Sequence, residues 1–159
     1  MITIIGDSIV NGLDSTSFDK KFNVKIKPYG GSTTEDMVDH IKPAVRKRPD
    51  HLILHVGTND ITNSIDTLKH LKSICTFIKD HSSQTKISLS SVLFRADKKG
   101  IDKKVKILNK KLSTFCNENN LKFVDNRVIV NGHLSKKKLH LNQNGRSVLA
   151  KNFNNHLQH

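Results

Sequence analysis

Four residues, spread from one end of the 159-residue chain to the other, are of the types that divide the labour of acyl transfer. Ser8 follows Met1-Ile2-Thr3-Ile4-Ile5-Gly6-Asp7, in which the run Ile2 to Ile5 is apolar or β-branched and Gly6 breaks it. Such a run suits a short strand buried on both faces of a parallel sheet. In open α/β sheets ligands bind at the carboxyl ends of strands, so a serine delivered there is a candidate nucleophile. His140, in Leu139-His140-Leu141-Asn142, is the candidate general base that takes its proton. The N–H groups of Ser8 and Gly31, with the side-chain amide of Asn59, are candidate donors to the developing oxyanion. Gly31 suits that role because no Cβ stands between its backbone and a ligand. Taken singly, each block also reads as a plain turn: Gly for φ, Asp or Ser as a cap, Asn-Asp tying a loop. Their presence together in one chain favours the chemistry.

The elements that must position these residues alternate. Ile2–Ile5, Val24–Ile26, His51–Val56, Lys86–Leu93 and Leu121–Val124 read as strands. Helical spacing joins Met37, Val38, Ile41 and Val45 behind a capping box at Thr33 to Asp36, with Pro43 as a kink and Pro49 as a stop. It also joins Ile61 to Ile78, Ile101 to Phe115, and Val148 to Leu157. Arg95 to Gly100 reads as a basic loop, and residues 125 to 141 as a long loop whose end, Asn142, is a candidate helix cap. The alternation predicts one α/β domain over residues 1–159 with a parallel, doubly wound sheet. In a sheet ordered 2-1-3-4-5, the turns carrying Ser8, Gly31 and Asn59 are neighbours, and the long loop brings His140 back to them. His55 is expected to pack beneath that site.

The series Gly6-Asp7-Ser8, Gly31, Gly57-Thr58-Asn59-Asp60 and His140 resembles the SGNH (GDSL-like) hydrolase superfamily over essentially the whole chain. More narrowly, Gly-Gly-Ser-Thr-Thr-Glu-Asp-Met (30–37), Leu-His-Val-Gly-Thr-Asn-Asp-Ile (54–61) and Lys-Leu-His-Leu-Asn-Gln-Asn-Gly (138–145) are similar to esterase-like domains encoded by animal non-LTR retrotransposons. The resemblance implies a flavodoxin-like three-layer α/β/α fold, no metal or cofactor, and hydrolysis of ester or thioester bonds. It also implies the pattern's aspartate three residues before the histidine, where this chain has Lys137. Asp125 is a candidate substitute for the orienting acid, and a backbone carbonyl holding Nδ1–H is the other. A Ser8–His140 dyad is then expected to be active but slow, since loss of the acid costs other serine hydrolases about 10⁴-fold in kcat. Lys136, Lys137 and Lys138 form either a solvated turn or a contact for an anionic substrate.

Composition bounds the alternatives. Lys plus Arg, 27, less Asp plus Glu, 14, gives a net charge of +13, which attracts polyanions. A second class of function is therefore a nucleic-acid-associated module, binding RNA or single-stranded DNA weakly on a hydrolase scaffold. Aromatic residues are only 5% of the chain, which argues against a dedicated single-strand binder that stacks bases. Four intact chemical blocks favour the esterase, acting on small acyl or lipid esters. Cys75 and Cys116 lie far apart with no Cys-x-x-Cys, so a zinc site is not expected, and free thiols on helix stripes are. No run reaches membrane-span length and Ile2–Ile5 is too short for a signal-peptide core, so an intracellular location, cytoplasmic or nuclear, is expected.

Overall fold

The opening run forms β1 (Ile2–Gly6), buried along its whole length. It is buried because it lies between two parallel neighbours, β2 (Val24–Pro28) and β3 (His51–His55), in register Ile4↔Ile26 and Ile4↔Ile53. The computed structural model describes residues 1–137 and 139–159. In it, β4 (Lys86–Ser90) and β5 (Lys122–Val124) complete a five-stranded parallel sheet. The strand order is the expected one, β2-β1-β3-β4-β5. Order reverses between β1 and β3, the kind of point where such sheets open a crevice.

Strand residues alternate between two faces. Ile5, Leu52, Leu54 and Leu89 point to the face covered by α1 (Thr34–His40), α2 (Lys42–Arg46), α4 (Thr67–His81) and α5 (Ile101–Glu118). Ile4, Ile53 and Val124 point to the other, covered by α6 (Gln143–Leu157) and by the 3-10 turns at Ser8–Val10 and Ser15–Ser17. Phe153 of α6 and Leu71, Ile74 and Ile78 of α4 are among the buried side chains that fill these layers. No helix among the described residues is long and apolar enough to cross a membrane.

Three expected elements differ in extent. The helix carrying Met37 and Val45 is two helices, since Pro43 stands in the first turn of α2, where its missing N–H costs nothing. The periodicity from Ile61 to Ile78 also spans two helices, α3 (Thr58–Asn63) and α4. Ser64 ends α3 in the left-handed conformation at φ 52°, and Asp66 caps α4 by accepting from the Lys69 N–H. Strand four stops at Ser90 rather than Leu93, because both backbone groups of Val92 are taken by the Asn109 side chain of α5, at 2.7 and 2.8 Å. Cys75 is half-buried and Cys116 buried, both free. Burial pushes their thiols up to about 11 and about 12, which leaves them unreactive at neutral pH.

Candidate active site

The serine turn is built by a close approach. A Cβ at Gly6 would lie 2.3 Å from the His55 carbonyl oxygen, so only glycine lets the end of β1 lie against the end of β3. The next N–H, of Asp7, donates to that same carbonyl at 3.1 Å. Asp7 then caps the 3-10 turn that begins at Ser8, its Oδ1 accepting from the Ile9 N–H at 3.0 Å. Ile9 and Val10 are buried and anchor the turn, while Ser8 is half-buried. Asp7 itself is fully buried, and its Oδ2 has no partner among the described residues. Burial pushes this carboxyl up to about 7; the Ile9 N–H opposes that rise and the Asp60 carboxylate adds to it.

The turns after β2 and β3 are stitched to this one. Tyr29 N–H donates to the Gly6 carbonyl at 2.8 Å, leading the chain into the turn that holds Gly31. Gly31 sits at φ +74°, with nothing within 4 Å of where a Cβ would stand. Its backbone therefore borders open space, as an anion-binding N–H requires. Asn59, in the first turn of α3, donates from Nδ2 to the Ser32 carbonyl at 3.0 Å. An amide nitrogen has two hydrogens, so this bond fixes the side chain and leaves one N–H to donate elsewhere. Asp60 is a structural tie. Its Oδ1 accepts from the Thr34 N–H at 2.8 Å, and its Oδ2 from the hydroxyls of Thr34 and Thr67 at 2.5 and 2.6 Å. Three helix N-termini, of α1, α3 and α4, thus meet on one buried carboxylate.

His140 arrives on a tight hairpin. Leu134 and Leu141 form an antiparallel bridge, and the Ser135 N–H donates to the His140 carbonyl at 2.7 Å. Asn142 secures the base of the hairpin: Nδ2 donates to the carbonyls of Gly132 and Leu134, and Oδ1 accepts from the Gly145 N–H to cap α6. Leu134 and Leu141 belong to the same apolar cluster as Ile9 and Val10 of the serine turn. The His140 ring is exposed, as are Lys136 and Lys137 at the hairpin tip; Lys138 lies outside the described residues. Asp125 is exposed and its carboxylate is engaged by Arg127, through Nε at 2.6 Å and the backbone N–H at 3.0 Å. Its carbonyl accepts from Asn152 of α6 at 2.9 Å.

Sequence reading passed over two residues that hold this arrangement. Arg95, expected in a basic loop, is buried; its Nε and Nη2 pair with Asp97 at 2.9 and 2.8 Å. Its Nη1 donates to the carbonyl and the hydroxyl of Thr58, both at 3.1 Å. It clamps the turn that delivers Asn59, and the signal available was an arginine among lysines with an aspartate two residues on, the pairing a planar guanidinium favours. Asn126 is the second. Its Nδ2 donates to Ser90 Oγ and the Ser91 carbonyl, its Oδ1 accepts from Asn152, and its N–H donates to Ser91 Oγ. Every polar group of this buried side chain is used, and the loop that leads to His140 departs from a fixed point. His55 is buried beneath the site as expected, its Nδ1 sharing a 2.6 Å hydrogen bond with Ser90 Oγ.

Comparison with known proteins agrees with this fold. Residues 4–148 match the model of the GDSL-like Lipase/Acylhydrolase family. Among solved structures, a GDSL-like lipase from Bacteroides thetaiotaomicron superposes with a TM-score of 0.83 at 18% identity, over 99% of this chain and 87% of that one. Axe2, an acetylxylan esterase from Geobacillus stearothermophilus, superposes with a TM-score of 0.75 at 17% identity, over 96% and 91%. A member of the lipolytic G-D-S-L family from Veillonella parvula does so with 0.69 at 22% identity, over 95% and 94%. Among curated proteins no match was found.

Proposed function

The chain belongs to the GDSL-like lipase/acylhydrolase family, and we propose that within it this protein is a serine ester hydrolase whose nucleophile is Ser8. Ser8 Oγ attacks the acyl carbon while its proton passes to His140. The carbonyl oxygen becomes an oxyanion held by the N–H groups of Ser8 and Gly31 and the remaining amide N–H of Asn59. Collapse expels the alcohol, which leaves with the proton from His140, and an acyl-Ser8 ester remains. Water then attacks that ester while His140 takes its proton, and His140 returns that proton to Ser8 Oγ as the acyl–Oγ bond breaks and the acid is released. The observation that carries this reading is the stitching of the three turns at the point where strand order reverses. Asn59 is held by Ser32 with one N–H to spare, beside a Gly31 backbone that borders open space.

In this reading the substrate is a small acyl or lipid ester and His140 works without the usual acid. Asp125 is occupied by Arg127, which supports a Ser8–His140 dyad over a triad completed by Asp125. Lys137, exposed on the histidine hairpin, supports a contact with an anionic part of the substrate. The narrower likeness to retrotransposon-encoded esterase domains belongs to this proposal and rests on the three phrases quoted above. The test is labelling with a fluorophosphonate, followed by turnover of p-nitrophenyl esters of increasing chain length. Wild type should label and turn over, and Ser8→Ala should do neither while its melting temperature stays within a few degrees. Equal turnover by Ser8→Ala would remove Ser8 from the chemistry.

A further inference from the structure

Away from the crevice, the seam between α4 and α5 is not closed. Three clefts follow one another along it, of about 430, 440 and 630 Å³. Leu68 and Lys111 line both the first and the second, and Lys72, Phe115 and Asn119 line both the second and the third. They are therefore one groove. On α5 it follows the stripe from Lys104 through Ile107 and Lys111 to Asn119, about 22 Å of helix at the α-helical rise. On α4 it follows Leu68, Lys72, Cys75 and Lys79, again at helical spacing.

Two features set this groove apart from an ordinary solvated helix seam. Its first cleft is lined by the aliphatic Ile61, Ile65, Leu68, Ile107 and Leu108, and Ile107 is 54% exposed, one of the exposed large apolar side chains of the described residues. Its rim is cationic: Lys72, Lys104, Lys110 and Lys111 are exposed, and none forms an ion pair or hydrogen bond among the described residues. Lys106, on the same helix but off the groove, is by contrast paired with Asp102. Asp66 and Glu118 are the exposed carboxylates lining the groove, one towards each end.

We propose that this groove docks an acidic amphipathic helix of a partner protein. An apolar floor flanked by unpaired cations is the complement of a helix with leucine-like residues on one face and glutamates beside them. The groove's length fits about four turns of such a helix. A nucleic-acid strand would use the same lysines but needs exposed aromatic faces for its bases. The aromatic ring in this groove, Phe115, is 4% exposed, and the exposed floor is isoleucine and leucine. That favours an aliphatic peptide face over stacked bases. The proposal stands independently of the esterase reading, since none of Ser8, Gly31, Asn59 and His140 lines the groove.

The test uses the full chain and a fluorescein-labelled synthetic peptide of about fifteen residues, helical, with Leu on one face and Glu on its flanks. A second peptide carries Lys in place of Glu, and a labelled oligo-uridine serves as the nucleic-acid probe. Anisotropy titration should give saturable binding of the acidic peptide and none of the basic one. Lys104→Glu/Lys111→Glu should weaken binding by about tenfold or more, and the neutral Ile107→Ser by about tenfold. All three positions are exposed, and a melting temperature within a few degrees of the wild type would show that these variants are folded. Absence of acidic-peptide binding overturns the proposal, as does equal binding by Ile107→Ser, which would mean diffuse charge attraction. Saturable oligo-uridine binding that is lost with the lysines, without peptide binding, would reassign the surface to nucleic acid.

Discussion

The two faces of the sheet come from the same strands yet are held in different ways. Beneath α1, α2, α4 and α5 the strands present Leu52, Leu54 and Leu89, and the layer is closed by apolar contact, mostly aliphatic with Met37 and Phe115 among it. Its polar ties lie at the rim, where Asp60 gathers Thr34 and Thr67. Beneath α6 the same strands present His51, His55, Ser88 and Ser90. Ser88 Oγ bridges His51 at 2.6 Å and His156 of α6 at 2.8 Å. Ser90 Oγ bridges His55 and Asn126, and Asn126 binds Asn152 of α6. A serine hydroxyl has one proton to give. Ser90 Oγ accepts from Asn126 and keeps that proton and a second lone pair for the bond it shares with His55 Nδ1, in which the ring's tautomer sets the donor. The difference teaches a division of labour. The apolar face resists deformation, while the polar seam gives fixed directions to the loop that ends at His140.

Removing apolar volume from the α6 side should have the largest effect, because one long helix covers that face. Phe153 is fully buried with its ring edge-on to His55. Phe153→Ala should cost about 3–5 kcal/mol in urea unfolding; a cost near that of a surface substitution would mean that the seam, not packing, holds α6. Next, Asp7→Asn probes the buried carboxyl at the site end of β1. The folded pKa, about 7, lies above the unfolded value of 3.8. The penalty is therefore absent below about pH 4, grows as pH rises to 7 and is constant beyond. Asp7→Asn keeps the Ile9 cap and should raise stability by about 4 kcal/mol at pH 8, and leave it nearly unchanged at pH 4.

His55 should act in the opposite sense. Burial lowers its pKa from 6.5 to about 4, so its contribution is complete above pH 6.5 and is lost as pH falls towards 4. Between pH 7 and 4.5 the wild type should lose about 2–3 kcal/mol more than His55→Gln. Hydrogen exchange over the same range should deprotect α6 before α4 and α5. Equal loss in both proteins would place the acid sensitivity elsewhere. The smallest change falls on the apolar face. Thr67→Val removes one donor to Asp60 and should cost about 2 kcal/mol in chemical unfolding, as expected for a hydrogen bond to a charged group.

Much of the frame was legible in local sequence. The β-branched opening, the helical stripes and the caps at Thr33 and Asn142 depend on neighbours within a few residues, so periodicity and turn chemistry reveal them. The residue types at the ends of β1, β2 and β3 were enough to nominate Ser8, Gly31 and Asn59. Even the serines of β4 are visible, since Ile87 and Leu89 alternate with Ser88 and Ser90.

What the serines are for was decided only by the tertiary structure. His55 meets Ser90 across 35 positions of sequence, Arg95 meets Thr58 across 37, and Ser88 meets His156 across 68. Such bonds form when packing removes water and each buried polar group must find whichever partner the fold brings near. The same applies to the breaks at Ser64 and Val92, where a left-handed residue and an asparagine from another helix override local periodicity. The sequence by itself determined the strands, the stripes and the kinds of residue at the crevice. Folding determined which of them touch, because hydrogen-bond partners far apart along the chain leave no period to read.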